Sequence, residues 1–256
     1  RVDNRYDYPA DRETLRGILI ALSEARRAEA KTDRAEGWAR LGLQPIEDPD
    51  AGGVELTLEG LDPAPRIIIG ETAGGDAGGT YLRRADEDDG RAWLVSERIE
   101  MPADIGDWLD DRLTEIPIER MRSVEITARD GEPVRIAREE PRSRYFESAN
   151  RPEGRQPLSN SIARSIARIV SDLRLKDVHP AATLDLPPRL AEAHFETLAG
   201  LRIVIDAFAA DRGEGPRYIR LRVEAVDGAG DRVREQVETL NTRFYGWLYE
   251  IPEYKF

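Results

Sequence analysis

Trp108-Leu109-Asp110-Asp111-Arg112-Leu113-Thr114-Glu115-Ile116-Pro117 and Trp247-Leu248-Tyr249-Glu250-Ile251-Pro252 are two versions of one phrase, a Trp-Leu pair followed shortly by Glu-Ile-Pro. A phrase this specific in both halves of one chain marks the closing element of two related modules. Reading outward from each copy gives one order: helix, two-stranded hairpin, tyrosine-bearing strand, helix, Trp-Leu, Glu-Ile-Pro. The expected fold is therefore α+β. It has two tandem, related lobes, residues 1–120 and 121–256, each a mostly antiparallel sheet packed against one long helix.

In the first lobe, Asp11 is placed to cap a helix running to about Lys31, with Leu15, Ile18, Leu19, Leu22 and Ala25 at helical spacing. A short helix with Trp38 and Leu41 stops at Gly42. Val54–Leu58, Arg66–Gly70, Thr80–Arg83 and Ala92–Val95 read as an antiparallel meander separated by turns rich in Gly, Asp and Pro. Pro102 to Leu113 reads as a short helix that presents Ile105, Trp108, Leu109 and Leu113 on one side.

The second lobe opens with a hairpin, Val124–Thr127 and Val134–Ala137, joined across Asp130-Gly131. A polar stretch with Pro152, Gly154 and Pro157 then leads to Ser159 or Ser161 as the cap of a helix whose Ile162, Ile166, Ile169 and Leu173 form a seam. His194–Thr197 and Leu201–Ile205 turn at Ala199-Gly200, followed by a strand around Tyr218–Val223. The closing helix begins at Asp231 and carries Val233, Val237, Leu240, Phe244, Trp247 and Leu248. Both copies of the phrase are thus expected on helices, each with its Trp in a lobe's core and its Pro ending the passage. The hairpin at 124–137 has no counterpart before the first long helix. A native chain extending upstream of Arg1 is expected to supply it, together with a signal or membrane anchor.

Composition narrows function more than it defines it. Fifty acidic against 38 basic residues give a net charge of −12, so duplex nucleic acid and anionic membrane surfaces are repelled, and a basic or neutral partner is easier to accommodate. The absence of cysteine excludes disulfides, thiolate metal sites and cysteine nucleophiles. No apolar run approaches the roughly 20 residues that span a bilayer.

The candidate chemical motifs read better as structure. The glycine-rich stretch Gly70–Gly79 lacks the Lys of a phosphate loop, bears Glu71 and Asp76, and is followed by a strand, so it is expected to be a hairpin connection. Asp86-Glu87-Asp88-Asp89-Gly90 lacks calcium-loop spacing, and the twelfth position, Glu97, falls beyond a strand. His179 and His194 are the only histidines. Neither belongs to a metal-binding or nucleophile-elbow pattern, and no catalytic residue, metal or cofactor is assigned. The end of the chain differs from the first lobe by its aromatic tail. Tyr245, Tyr249, Tyr254 and Phe256 are the candidate interaction residues, for docking or lobe-to-lobe packing.

Three segments together resemble a known bacterial family: Tyr8-Pro9-Ala10-Asp11 with the following Leu-rich helix and Ala28-Glu29-Ala30-Lys31-Thr32, then Ala39-Arg40-Leu41-Gly42-Leu43, then Gly246-Trp247-Leu248-Tyr249-Glu250-Ile251-Pro252-Glu253-Tyr254. They resemble domain of unknown function four-three-four-zero over nearly the whole chain, most specifically in the terminal motif. That resemblance implies a single-span inner-membrane protein with a large periplasmic part, related to auxiliary components of gliding-motility-type ABC transport systems. It supplies no catalytic residue.

The expectation is therefore a non-enzymatic interaction module at the periplasmic face of the bacterial inner membrane. Its partners would be envelope or transporter-like membrane proteins, with no nucleic acid and no membrane insertion by these residues. Two alternatives belong to other classes. One is binding of a sugar or peptidoglycan fragment in an inter-lobe cleft lined by exposed aromatic rings. The other is a glycoside hydrolase using two facing carboxylates.

Overall fold

The computed structural model describes residues 1–74, 78–87, 90–150, 158–209 and 215–252. The chain forms two compact units. One contains Asp11–Asp104, and the other joins Arg1–Ala10 to Ile105–Phe256. The boundary thus falls near residue 104 rather than 120, and the first ten residues belong with the C-terminal unit. Among the described residues, no helix is long and apolar enough to cross a membrane.

The Asp11–Asp104 unit begins with α1 (Arg12–Glu24), capped by Asp11, whose carboxylate accepts from the backbone N–H of Glu13 and Thr14 at 2.6 and 3.2 Å. The helix stops seven residues short of Lys31 because Ala25 turns extended and Arg27–Ala30 become β1. Sheet pairing outcompetes the helical periodicity here. The five strands are β1, β2 (Val54–Thr57), β3 (Arg66–Thr72), β4 (Thr80–Arg84) and β5 (Ala92–Val95), all antiparallel, in the order β1-β5-β4-β3-β2. The meander read from sequence is present, with β1 added at its edge.

Two 3-10 turns, Ala35–Gly37 and Ala39–Leu41, replace the short helix, and the second ends at Gly42 with φ +66°. A side chain at Gly42 would be strained in that conformation and would crowd the Glu71 backbone at 3.2 Å. These turns lay Trp38, Leu41 and Leu43 against Ile68 and Ala92. Arg83 is buried in the same layer, with its guanidinium 3.9 Å from the Trp38 ring centre and its Nε donating to the Leu43 carbonyl at 2.7 Å.

The other unit is built on an eight-stranded antiparallel sheet. Its elements are β6 (Arg112–Thr114), β7 (Met121–Ala128), β8 (Val134–Ala137), β9 (Glu147–Ser148), α2 (Asn160–Ala167), β10 (Leu173–Arg174), β11 (Asp177–Pro180), β12 (Arg189–Thr197), β13 (Leu201–Ala209), β14 (Arg217–Ala225), α3 (Asp231–Phe244) and β15 (Trp247–Ile251). The large sheet runs β11-β15-β14-β13-β12-β7-β8-β9, and β6 pairs with β10 apart from it. Register places Val124, Phe195, Ile203 and Val223 in one cross-strand row, all four in the core. The next row is polar on most strands, with Glu125, His194 and Arg222 aligned beside Val204.

Helix α2 is capped by Ser159 but ends at Ala167, burying Ala163 and Ala167; of the expected seam, Ile166 and Ile169 pack against the core and Leu173 is buried in it. Ile162 is half exposed, and Leu173 lies in a strand. Helix α3 packs on β14. Strand β15 pairs only with the first residues of β14, and beyond it the Asn241 amide caps the exposed ladder edge. Its Oδ1 accepts from Val223 N, and its Nδ2 donates to Val223 O, both at 2.9 Å.

Neither copy of the doubled phrase is helical, which corrects the expectation from sequence. In the first, Ile105–Trp108 is a 3-10 turn and Arg112–Thr114 is β6. In the second, Tyr245 turns extended and Gly246, at φ +80°, ends α3, so Trp247–Ile251 enters the sheet between β11 and β14. The five-stranded and eight-stranded sheets differ in strand number and order, and of the three α-helices among the described residues the C-terminal unit carries two. The related-lobe arrangement with one long helix each is therefore replaced by two dissimilar α+β units.

Candidate functional site

The segments that carry the most distinctive sequence meet inside the C-terminal unit. Tyr8 is held by a bridge between Val2 and Tyr8, and Ala10 forms a bridge with Leu109, while Asp110 N donates to Pro9 O at 2.9 Å. The Tyr8 ring is buried and meets Trp247 edge-on at 5.2 Å and Tyr249 at 6.3 Å. Phe244, the last residue of α3, meets Tyr249 at 6.2 Å. Such edge-to-face contacts add specificity to the area buried.

An ion pair borders this aromatic cluster. Arg243 lies 3.0 Å from Asp110 and donates through Nη2 to Arg112 O at 2.6 Å. Burial pushes the Tyr8 phenol above its ordinary range, and the nearby Arg243 charge opposes part of that shift. Tyr249 is pushed up far more strongly, first by burial and then by Tyr8, with Arg243 again opposing. Both shifts favour the neutral phenol over the tyrosinate. The cluster acts as a lock that fastens the N-terminal segment to α3 and β15.

The interaction candidates fare differently from one another. Tyr245 is 87% exposed. Tyr249 is fully buried, because strand alternation turns it to the core with Trp247 and Ile251; it is not available for docking. Tyr254 and Phe256 lie outside the described residues. Trp108 and Trp247 are both half buried, and Trp247 packs on the core from its strand.

A second polar constellation crosses the outer face of β12, β13 and β14. Glu192 and Asp206 are directly opposite one another, an arrangement of like charges that is unfavourable on its own. Arg189 donates to Asp206 at 2.8 Å and Arg222 at 3.1 Å. Glu192 also lies 2.6 Å from His194 Nε2. His194, ahead of the Arg189 and Arg222 charges, holds the Glu192 carboxyl below its ordinary range.

His179 is on β11 and packs edge-on against Tyr218 at 5.9 Å. With β15, β14 and β13 between β11 and β12, the two histidines are roughly 19 Å apart at ordinary strand spacing and share no site. Among the described residues, no group of three or more His, Asp or Glu side chains is placed to hold a metal ion. Gly70–Thr72 form the end of β3, and the glycine-rich stretch leads on to the adjacent antiparallel β4, with residues 75–77 outside the description. In the acidic turn, Asp86 accepts from Arg66 N and pairs with Arg84, and residues 88 and 89 lie outside the description.

Residues 1–188 match the family described as Domain of unknown function (DUF4340). The chain belongs to this family. The match includes Tyr8 and Asp110 but ends before Arg243, Trp247 and Tyr249, so the terminal motif lies wholly outside it. No curated protein and no solved structure matches this DUF4340 chain. Periodicity does not reveal the Tyr8–Tyr249 contact, because it reports only on neighbours within one element and these residues are 241 positions apart. The one available signal was that Tyr8-Pro9-Ala10 and the terminal motif stood out together.

Proposed function

We propose that this DUF4340 chain is a non-enzymatic interaction module of a membrane-anchored protein, acting at the periplasmic face of the bacterial inner membrane beside an ABC-transporter-like complex. The observation that carries the interaction role is the outer surface of α1. This well-capped helix buries only Ile18, while Leu15, Leu19 and Ile20 are 37%, 50% and 44% exposed. Fully burying a side chain of this kind is favourable by about 1.5–3 kcal/mol, so their exposure together favours a covering partner. The membrane location and the transporter association rest on the family resemblance.

The test is crosslinking in intact cells followed by purification under denaturing conditions. Recovery of an envelope or transporter membrane protein well above an uncrosslinked control supports the proposal. Recovery of no such protein, or of cytosolic proteins alone, overturns it.

A further inference from the structure

Resting on this interaction reading, we infer that the α1 surface receives a partner helix bearing acidic side chains, seated on Leu15 and Leu19 and ion-paired to Arg12 and Arg16. At about 100° per residue, Leu19 lies some 40° from Leu15 around the helix, Arg12 about 60° and Arg16 about 100°. The apolar pair and the two cations therefore share one exposed face. Neither Arg12 nor Arg16 has an ion pair among the described residues, whereas many other arginines of the chain do.

A partner broad enough to cover Leu15 and Leu19 also covers part of both guanidinium groups. Removing an unpaired charge from water is unfavourable, so the partner must bring carboxylates to the same place. Leu15 and Leu19, one turn apart, form the kind of ridge that a second helix accepts into its groove.

The same geometry disfavours two other occupants. A helix lying in a lipid surface presents a continuous apolar arc with cations at its margins. Here Arg12 and Arg16 break that arc, separating Leu15 and Leu19 from Ile20. A second copy would have to supply carboxylates from its own α1. Glu13 and Glu24 point about 160–180° away from Leu15, so apposed copies would bring arginine against arginine.

A photoreactive residue placed at Leu19 in the full chain, with Ile162 and Tyr245 as comparison positions, tests the inference in cells. The adduct at position 19 is expected to map to a partner helix with Asp or Glu within one turn of the attachment point. Replacing both arginines, Arg12→Glu with Arg16→Glu, should lower its yield roughly tenfold, and Arg16→Lys should retain it. Attachment to lipid, to a second copy or to a segment lacking carboxylates overturns the inference. So does an adduct from Ile162 or Tyr245 with none from Leu19, an outcome that leaves the interaction role standing. Adducts from none of the three remove both.

Discussion

Arg243 of α3 reaches Asp110 at 3.0 Å across 133 positions of sequence, and the same guanidinium donates to Arg112 O. This places a cation beside the buried Tyr8 and Tyr249 phenols and ties α3 to the backbone entering β6. Both ends of the pair are partly solvated, so the ion pair alone contributes little, about 0–1 kcal/mol. Arg243→Ala also removes the carbonyl hydrogen bond and the packed stem, and it should destabilise the unit by about 1–2 kcal/mol. Asp110→Asn should stay within about 1 kcal/mol of the native chain. Urea unfolding followed by tryptophan fluorescence separates the two. Equal losses would mean that the ion pair dominates the carbonyl contact.

The raised phenol pKa values of Tyr8 and Tyr249 predict alkaline instability. Between the unfolded tyrosine value near pH 10 and the higher folded values, the unfolded chain has lost these protons and the native chain keeps them. Stability therefore falls with rising pH, by about 1.4 kcal/mol per unit for each tyrosine. The contribution is fully present below about pH 10 and is lost above it. Urea midpoints measured between pH 9 and pH 11 should decline steeply in the native chain and more gently in a Tyr8→Phe, Tyr249→Phe double variant. Parallel curves would show that these phenols do not set the alkaline limit.

On the outer sheet face, Arg189 and Arg222 straddle the opposed Glu192 and Asp206. Arg222→Met should cost about 1–3 kcal/mol, because Asp206 is buried and loses one of its two cations. Combined with Asp206→Asn, the loss should be less than additive, with a coupling of about 0.5–3 kcal/mol in a double-mutant cycle. The lowered Glu192 value adds a sign at acidic pH. Its stabilisation is present above the unfolded glutamate value, near pH 4.5, and disappears as pH falls through the lower folded value. A Glu192→Gln variant should consequently lose less stability than the native chain on acidification.

The legible parts of the fold were those set by neighbouring residues. Asp11 and Ser159 cap helices as their side chains dictate, and the Asp130-Gly131 and Ala199-Gly200 turns join the strands read around them. The illegible parts depended on competition from distant strands. Phe244, Trp247 and Leu248 keep helical spacing, yet Gly246 ends the helix, and Trp247–Ile251 pairs with the ladder edges that β11 and β14 offer on either side of it. Likewise, Ala28-Glu29-Ala30 favours a helix on propensity, but β5 supplies an edge partner after Ala25 turns. The candidate surface on α1 was half legible. Apolar periodicity marked the stripe, but which residues faced inward depended on packing that spacing alone does not reveal.

That division of α1 yields a direct contrast between adjacent positions. Ile18 is 6% exposed and Leu19 is 50% exposed. Ile18→Ala removes three buried carbons from a packed position and should cost about 2–4 kcal/mol. Leu19→Ala replaces one strong helix former by another at a solvated position and should change stability by less than about 0.5 kcal/mol. In cells the order should reverse for crosslinked complex: Leu19→Ala lowers the yield with native stability intact. Chemical denaturation of both purified variants, alongside crosslinking yield for Leu19→Ala, checks this. A loss above about 1 kcal/mol at Leu19 would identify that side chain as part of the folded core, and α1 would no longer be a free docking face.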